Sequence, residues 1–435
     1  MNHPKDMKDK RVFVVDYDII SPLGIGKSEV FKNLLNNHSA EDVITKFNTQ
    51  GLPINIAAEI IPSLEKLYRN ESIAIRSALK YDRKLELMVA CYHFMEKRLK
   101  NIFQYVLPEK SGVILGMGAD VPSVELMEEQ ILKFIDKSED PFLETVNSLN
   151  NHNGSINTLL NPLDISAIYL SSKLGLAAFQ KSVLTTCAAS IQAISLSCEA
   201  IKRGDAEIVL AGGTDSIINA LAFMSFSKLG ILAPKLNTIG KNCKPFDINR
   251  SGTLAGEAAG LCVLASKKVV DDLKLNPQFE IIGYGNSLDA YKITAPDPTG
   301  NGIKRALKSA IINAFIKPEQ IDYINLHGTG TRGNDPIELI SLGDVFGDAI
   351  RKIPISSTKD RHGHAIAATG IQEFGILCMC MENNFIPCNL NLEIPIVKKG
   401  FDLVQKENRF KKLNIGMTNN FGFGGVNTAL LIRKN

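Results

Sequence analysis

The chain has 435 residues, of which 45% are hydrophobic and 22% charged, and its formal net charge is +3. This length predicts roughly two to three domains or one large α/β unit, and the near-neutral charge, without a concentrated Lys/Arg block, argues against nucleic-acid binding. No apolar stretch approaches the ~20 residues that a membrane span needs, and the polar N-terminus lacks a signal-peptide core, so we expect a cytoplasmic protein with no membrane contact.

Apolar runs typical of buried strands recur along the whole chain, and helix-like stretches lie between them. Continuous apolar strands that alternate with helices predict a parallel or mixed α/β sheet with both faces covered. The strand candidates are residues 12–15, 112–115, 182–184, 208–211, 261–264, 279–282, 323–326, 353–355, 413–417 and 428–432. The clearest helix candidates are residues 190–203, 302–315 and 335–346.

A coarse similarity between the two parts of the chain indicates two halves. In each part, a strand and a turn of small residues are followed by helices and later strands. We predict an N-terminal half at residues 1–276 and a compact C-terminal half at residues 277–435. The first half is longer, which indicates an inserted region at about residues 35–165.

The chain has eight cysteines without the spacing of a disulfide framework, so most are expected to be free thiols in the core. Cys187 is different, because a short apolar run gives way there to a helix-like stretch that begins with small residues. A helix N-terminus favours the thiolate, since unpaired N–H groups and the helix dipole stabilise anions. Cys187 is therefore a candidate nucleophile, although considered alone it also fits a structural buried thiol.

Two histidines and a lysine follow at the ends of later strand candidates. His327 begins the segment His-Gly-Thr-Gly-Thr, and Lys359 precedes His364 by five residues. Glycine permits close approach of the backbone to a ligand, and the threonine hydroxyls can bond its polar groups. Each residue alone also fits a structural or solvated role. A thiol, two histidines and a lysine together are suited to acyl transfer.

Three further segments rich in glycine or histidine each have a pattern associated with a known chemistry. The loop at residues 421–425 can supply a backbone N–H donor for an oxyanion, with a simple turn as the alternative. The pair His362 and His364 has no acidic or cysteine ligand at a recognised spacing, so no metal is predicted. The segment at residues 24–28 resembles the end of a P-loop, but Ser21 stands where the first glycine is required, which excludes nucleotide binding.

In combination these motifs resemble the β-ketoacyl-acyl carrier protein synthases, the elongating type I/II branch of the thiolase superfamily. The likeness covers nearly the whole chain. It includes residues 21–24, the turn at Cys187, residues 212–213, 244–247, 256–257 and 327–331, the pair Lys359 and His364, and residues 420–425. The resemblance implies an α/β thiolase fold, with two similar halves in a five-layered αβαβα arrangement. It also implies a dimer, either a homodimer or a heterodimer with a second ketosynthase-like subunit.

The resemblance implies a role for each catalytic motif residue in a KAS II-like acyltransferase. Cys187 would accept an acyl chain from a carrier-protein thioester. His327 and His364 would assist decarboxylation of the malonyl extender and stabilise the resulting carbanion. Lys359 would organise His364 together with a network of supporting carboxylates. The supporting carboxylates would be Asp335 and Glu338.

The resemblance also implies how the substrate is held. Backbone N–H groups of Cys187 and Phe423 would form the oxyanion hole, and the Phe423 side chain would act as a gate. Thr329 and Thr331 would bond the phosphopantetheine arm, with Thr294 at its entrance. The enzyme itself would need no metal or redox cofactor, since phosphopantetheine arrives on the acyl carrier protein.

Some positions depart from the family pattern around the predicted acyl pocket. Ser251 and Thr253 stand where the family commonly has aspartate and phenylalanine. Ala119 stands where housekeeping synthases often place a larger aliphatic residue, whereas Phe226 keeps an aromatic pocket residue. These changes predict a deeper or more polar pocket, which suits long or unsaturated chains. The pathway would be fatty-acid elongation or an aryl polyene or other polyketide-like route.

Carrier proteins are acidic, so a docking surface on this chain should be basic. A cluster of basic residues with helix-compatible spacing lies in the region through which the family docks its carrier, and a solvated helix face is the alternative. The cluster consists of Arg76, Lys80, Arg83 and Lys84.

Other members of the superfamily fit less well. A chain-length-determining partner subunit without catalytic activity is the main alternative, but such subunits typically lack the nucleophilic cysteine that this chain keeps as Cys187. A degradative thiolase would need a second cysteine in the C-terminal glycine-rich motif, and residues 421–425 contain none. Starter-type synthases pair cysteine with histidine and asparagine, whereas His364 stands at that position here.

Overall fold

The computed structural model describes residues 10–119, 161–235, 238–397 and 399–435, together with the single residues 121, 124, 128 and 140. The strands in this part of the chain are β1 (Val12–Ser21), β2 (Gly24–Ile25), β3 (Glu41–Val43), β4 (Ile56–Ala58), β5 (Ser111–Met117), β6 (Phe179–Val183), β7 (Ile208–Ser216), β8 (Glu257–Ser266), β9 (Phe279–Leu288), β10 (Tyr323–Asn325), β11 (Pro354–Ser356), β12 (Phe385–Ile386), β13 (Asp402–Leu403), β14 (Arg409–Phe410), β15 (Ile415–Gly422) and β16 (Val426–Lys434).

The helices in the same ranges lie between these strands. They are α1 (Lys27–Leu35), α2 (Glu65–Tyr68), α3 (Ile73–Leu79), α4 (Arg83–Phe103), α5 (Ile165–Leu174), α6 (Ala189–Arg203), α7 (Ala220–Lys228), α8 (Lys267–Asp272), α9 (Asn301–Asn313), α10 (Asn334–Phe346), α11 (Lys359–His362) and α12 (Thr369–Asn383). None of these helices is both long enough and apolar enough to cross a lipid bilayer.

The two halves of the chain build sheets with the same strand order. The first has the order β6-β5-β7-β8-β1 and the second the order β11-β10-β15-β16-β9. In each, the fourth strand of this order, β8 or β16, runs antiparallel to both neighbours, while the first three strands are parallel. The edge strands β1 and β9 pair antiparallel and join the two sets into one sheet. This repetition confirms the predicted two similar halves.

Helices cover both faces of each half, which gives five layers. Helices α4 and α5 pack on the outer face of the first half, and α9 and α10 form the outer layer of the second. Helices α6 and α12 pack against each other and lie between the halves. The predicted five-layered thiolase arrangement is confirmed.

The burial of β7 shows why its sequence is a continuous apolar run. Val209 and Ala211 enter the core that contains the central helices, whereas Ile208 and Leu210 enter the core beneath α4. Successive strand residues point to opposite faces, so a strand covered on both sides is apolar at every position.

Close packing of α6 on the sheet places its N-terminus at the site described below. A Cβ atom on Gly116 would lie 2.4 Å from the backbone nitrogen of Ser190. Only glycine allows this contact, so Gly116 in β5 determines how near the start of α6 approaches the sheet. Much of the predicted insertion falls on residues 120–160, which lie largely outside the described residues, and the division at residues 276 and 277 stays a prediction.

Candidate active site

Cys187 lies on a one-turn 3-10 helix, Thr186–Ala188, directly before α6. Thr186 has a left-handed backbone conformation, with φ of 49°, and its hydroxyl donates to the Phe423 carbonyl at 3.0 Å. A Cβ on Gly422 would lie 2.3 Å from the Thr186 hydroxyl oxygen. The glycine-rich loop therefore sits directly on the turn that presents the thiol.

His364 is the direct partner of the thiol. Its Nε2 lies 3.0 Å from Cys187 Sγ, and its Nδ1 lies 3.1 Å from the Thr369 hydroxyl. Its backbone N–H donates to the Leu254 carbonyl at 2.7 Å. Bonds at both the ring and the backbone hold the imidazole against the sulfur.

His327 completes a compact group with the thiol and the first histidine. The two imidazole rings meet edge to face with centroids 5.4 Å apart, and His327 packs in the same way on Phe421 at 5.7 Å. The structure thus brings Cys187, His327 and His364 together, as the motifs indicate.

Lys359 is fully buried and forms an ion pair with the equally buried Glu373. Its Nζ also donates to the His327 carbonyl and lies 3.4 Å from His327 Nδ1. Asn420 donates to Glu373 at 2.7 Å and approaches the same ring nitrogen at 3.4 Å. Since the ammonium can only donate, Nδ1 of His327 accepts and the proton of the neutral ring resides on Nε2.

No hydrogen bond or ion pair in the described part of the chain joins Lys359 to Asp335 or Glu338. Glu338 accepts the backbone N–H groups of His327 and Gly328, both at 2.8 Å. Asp335 accepts the Phe246 N–H at 2.8 Å and the Gly330 N–H at 3.2 Å. These two carboxylates hold the backbone of the His-Gly-Thr-Gly-Thr loop. The carboxylate that pairs with Lys359 is Glu373, which the sequence analysis missed because no local motif marks it.

Burial controls the protonation state of the three reactive groups. Desolvation, followed by the positive charge of Lys359, holds the pKa of His327 and of His364 well below the usual value, so both are neutral at pH 7. Desolvation raises the pKa of the Cys187 thiol to about 12, although Lys359 and the backbone N–H groups of Phe423 and Cys187 act in the opposite direction. Cys187 is therefore a thiol at pH 7, because the desolvation of burial outweighs the effect of the helix N-terminus.

This thiol state predicts a steep pH dependence of alkylation. Below its pKa, the thiolate fraction of Cys187 rises about tenfold per pH unit. The rate of its reaction with iodoacetamide should therefore also rise about tenfold for each pH unit between about pH 6.5 and 9.5. Intact mass would follow the modification, with Cys187→Ala reporting reaction at the other cysteines. A rate that levels off below about pH 8.5 would contradict the raised pKa of the Cys187 thiol.

A cavity of about 530 Å³ opens onto Cys187, His327 and His364. Most of the other residues that the family resemblance assigns to substrate binding also line this cavity. The two residues in the segment 250–253 that differ from the family pattern line it as well. These lining residues are Thr294, Thr329, Thr331 and Phe423, and Ser251 and Thr253.

Two predicted pocket residues are not at this cavity. Ala119 follows the end of β5 and is exposed, and its carbonyl accepts a hydrogen bond from Lys84. Phe226 on α7 is half-buried against the apolar cluster that also contains Cys187, and it does not line the cavity. Neither residue therefore lines the cavity that opens onto Cys187.

The predicted docking cluster divides into two parts. Arg83 pairs bidentately with the buried Glu257, at 2.7 and 2.9 Å, and Lys84 is buried with its Nζ 3.1 Å from the Ala119 carbonyl. Arg76 and Lys80 have exposed side chains. The docking prediction is corrected for Arg83 and Lys84, because their charged groups are directed into the protein.

The thiol and the two imidazoles have ligand atoms within 4.8 Å of one another, a span that a metal ion can bridge. The surroundings oppose such an ion, because the Lys359 ammonium adjoins His327 and no carboxylate belongs to the group. With its proton on Nε2, the His327 ring has a hydrogen-bond donor rather than a lone pair at that nitrogen, and the residue lines the cavity. This arrangement suits stabilisation of a negatively charged oxygen.

Comparison with known families gives two matches that together cover most of the chain. Residues 9–269 match the family described as "Beta-ketoacyl synthase, N-terminal domain", and residues 278–393 match "Beta-ketoacyl synthase, C-terminal domain".

Individual relatives match over nearly their whole length. A Coxiella burnetii protein named 3-oxoacyl-[acyl-carrier-protein] synthase 2 is 30% identical over 434 residues, which is 98% of this chain and 99% of that protein. A Staphylococcus aureus protein of the same name is 28% identical over 428 residues, with 98% and 99% covered. Among solved structures, the ishigamide ketosynthase/chain length factor superposes with a TM-score of 0.84 at 25% identity, with 98% of this chain and 99% of that chain covered.

Proposed function

This chain belongs to the β-ketoacyl synthase family of condensing acyltransferases, and from that premise we propose that it performs a decarboxylative Claisen condensation. In this reaction an acyl chain carried on Cys187 would be joined to malonyl-acyl carrier protein. The observation that carries the proposal is the 3.0 Å contact between Cys187 Sγ and a neutral His364, beside a second neutral imidazole in one cavity.

The first half-reaction is acyl transfer to the thiol. His364 Nε2 is placed to take the thiol proton as the sulfur attacks the thioester carbonyl carbon. The new S–C bond forms, the bond from the carbonyl carbon to the carrier sulfur breaks, and the departing carrier thiolate takes up the proton. The negative oxygen of the intermediate is stabilised by the backbone N–H groups of Cys187 and Phe423, which lie close enough to the sulfur to lower its pKa.

The second half-reaction forms the carbon–carbon bond. The malonyl group loses CO₂, and the pair of electrons left behind forms an enolate whose oxygen needs hydrogen-bond donors. His327 offers its Nε2–H, because Lys359 occupies the acceptor side of the same ring. The enolate carbon then attacks the acyl carbonyl on Cys187, and the bond from that carbon to the cysteine sulfur breaks to give a β-ketoacyl product on the carrier. The sulfur leaves as a thiolate and takes up one proton from solvent, which restores the Cys187 thiol.

The walls of the cavity support the implied substrate contacts. The hydroxyls of Thr329 and Thr331 lie 2.9 Å apart, and both residues line the cavity together with Thr294. Hydroxyl groups in this position can bond the amides of a phosphopantetheine arm. The Phe423 side chain also lines the cavity, in keeping with its proposed role as a gate.

An acyl carrier protein is the proposed partner, with Arg76 and Lys80 as exposed candidates for docking on α3 and its C-terminal end. A dimer is also proposed, formed by two copies or with a second ketosynthase-like subunit. The heterodimer is part of this proposal because the chain superposes on a ketosynthase/chain length factor structure.

Intact mass spectrometry would test the function directly. Wild type incubated with octanoyl-carrier protein should gain one octanoyl group, and Cys187→Ala should gain none. Addition of malonyl-carrier protein should then discharge the enzyme and yield a β-ketodecanoyl carrier. If a panel of acyl chains gave no adduct on the purified protein, the role of a partner subunit without its own catalysis would replace the proposal.

A further inference from the structure

The imidazole of His364 has a different partner at each ring nitrogen. Its Nε2 lies 3.0 Å from Cys187 Sγ, and its Nδ1 lies 3.1 Å from the hydroxyl oxygen of Thr369. Thr369 is fully buried and does not line the active-site cavity. Its hydroxyl therefore acts on the imidazole and not on a substrate.

The second imidazole of the site has another kind of partner at Nδ1. That nitrogen of His327 lies 3.4 Å from the Lys359 ammonium, which can only donate a hydrogen bond. The Thr369 hydroxyl beside His364 can accept as well as donate. In a neutral imidazole, the hydrogen bond at one nitrogen decides which of the two nitrogens has the proton. The two rings can therefore hold their protons on opposite atoms.

A lone pair on Nε2 is what His364 needs in order to accept the thiol proton. Both His364 and Cys187 are uncharged at pH 7, since burial lowers the pKa of the imidazole and raises the pKa of the thiol. When the thiol S–H donates to Nε2, the single ring proton lies on Nδ1. A buried N–H without an acceptor is unfavourable, and Thr369 Oγ1 is an acceptor within hydrogen-bond distance.

The hydroxyl and the thiol are fixed relative to each other because the helices beside them begin in contact. Helix α12 begins at Thr369, and Cys187 lies two residues before the start of α6. The Ile371 N–H donates to the Ser190 hydroxyl at 2.8 Å, and a Cβ on Gly370 would lie 2.8 Å from the same oxygen. The imidazole therefore lies between the thiol at one helix start and the hydroxyl at the other.

The turn that leads from His364 to Thr369 is also held from outside. The buried carboxylate of Asp215 accepts the Ala367 N–H at 3.0 Å. In the same turn, Ile366 has φ of 39°, a left-handed conformation that a β-branched residue rarely adopts. The bond from Asp215 holds this unusual turn, which places the Thr369 hydroxyl at Nδ1.

We propose that Thr369 is a positioning residue that keeps the ring proton of His364 on Nδ1, so that His364 and His327 have opposite tautomers. This rests on the proposed function, in which His364 is the base in acylation and His327 offers its Nε2–H in condensation. In acylation, Nε2 takes the thiol proton as the carbon–sulfur bond to Cys187 forms, and it returns that proton to the departing carrier thiolate. Nδ1 keeps its own proton throughout, donated to Thr369 Oγ1.

Nitrogen NMR of the unacylated protein would read the two tautomers without any substrate. In protein labelled with ¹⁵N-histidine, protonated and unprotonated ring nitrogens have separate shifts, and His327→Ala and His364→Ala would assign the two rings among the seven histidines. Wild type at pH 7 should show a protonated Nδ1 on His364 and a protonated Nε2 on His327. In Thr369→Val, which keeps the shape but lacks the hydroxyl, the His364 proton should move to Nε2. A protonated Nε2 on His364 in wild type would overturn the proposal.

Single-turnover acylation by octanoyl-carrier protein would measure the consequence for the reaction. Thr369→Val should slow acylation by about 10- to 100-fold, as expected for loss of one hydrogen bond to a ring that becomes charged. The apparent KM should stay unchanged, because Thr369 lies outside the cavity lining. Thr369→Ser keeps the hydroxyl and should remain within about threefold of wild type. Condensation by the variant after it has been acylated should slow less than acylation does.

Thr418→Val is the matched control. Thr418 is a fully buried residue of β15 outside the cavity lining, and its hydroxyl has no hydrogen-bond partner in the described part of the chain. This variant should keep the wild-type tautomers and acylation rate. Equal acylation rates in Thr369→Val and wild type, or an equal loss of rate in Thr418→Val, would overturn the role of Thr369 and leave the proposed function standing. Failure of wild type to accept any acyl chain would instead overturn the proposed function, and the base role of His364 with it.

Discussion

Replacing His327 with alanine should leave acylation of Cys187 within about threefold of wild type but slow condensation by about 10²–10³-fold. The reason is geometric, since the sulfur contacts His364 at 3.0 Å, while His327 lines the cavity and carries its ring proton on Nε2. Single-turnover mass spectrometry would measure both half-reactions, first with octanoyl-carrier protein and then with malonyl-carrier protein.

Two further variants control this experiment. His364→Ala should slow both half-reactions, because the thiol loses the group placed to accept its proton. His327→Gln retains an N–H donor and should recover part of the condensation rate. Equal losses of acylation in His327→Ala and His364→Ala would show that the two imidazoles act as one unit rather than in separate steps.

Replacing Lys359 with methionine should destabilise the protein by about 3–5 kcal/mol and should also abolish condensation. Glu373 is fully buried, and without Lys359 its remaining side-chain partner among the described residues is Asn420. A buried carboxylate without a counter-charge loses the interaction that offsets its desolvation. Urea unfolding would measure the free energy of unfolding, and the acylation and condensation assays would measure the two steps.

The double variant Lys359→Met/Glu373→Gln separates stability from chemistry. It removes both charges, so it should regain much of the stability that the single variant loses. Condensation should remain low, because His327 Nδ1 would lack the ammonium that holds the ring proton on Nε2. A double variant that is no more stable than Lys359→Met would contradict the buried ion pair as the source of the loss.

Much of the fold could be predicted because it depends on local patterns. The apolar run at residues 208–211 lies within β7, and the helix predicted at residues 190–203 is α6 with one added residue at its start. Apolar strands of this kind occur where both faces of a sheet are covered, so the sequence predicts helices on both faces of the sheet. The order in which the strands pair is a long-range property that the structure shows.

The reactive residues could be named from motifs, although they are far apart along the chain. Cys187 and His364 are separated by 177 positions, and the structure places their side chains in contact. The motifs are informative because glycines and small residues at turns mark places where the backbone approaches a ligand. The cysteine and the two histidines in these motifs also indicated a thiol with imidazole partners.

By itself, the sequence determined the α/β class, the alternating strands and helices, and the residue types of the site. Only the tertiary structure decided that Glu373 is the partner of Lys359 and that Arg83 and Lys84 are directed into the protein. It also decided that Cys187 rests as a thiol rather than a thiolate. The physical reason is that secondary-structure propensity and the spacing of hydrophobic residues are local properties. Desolvation and charge pairing instead depend on which side chains, distant in the sequence, are packed together in the fold.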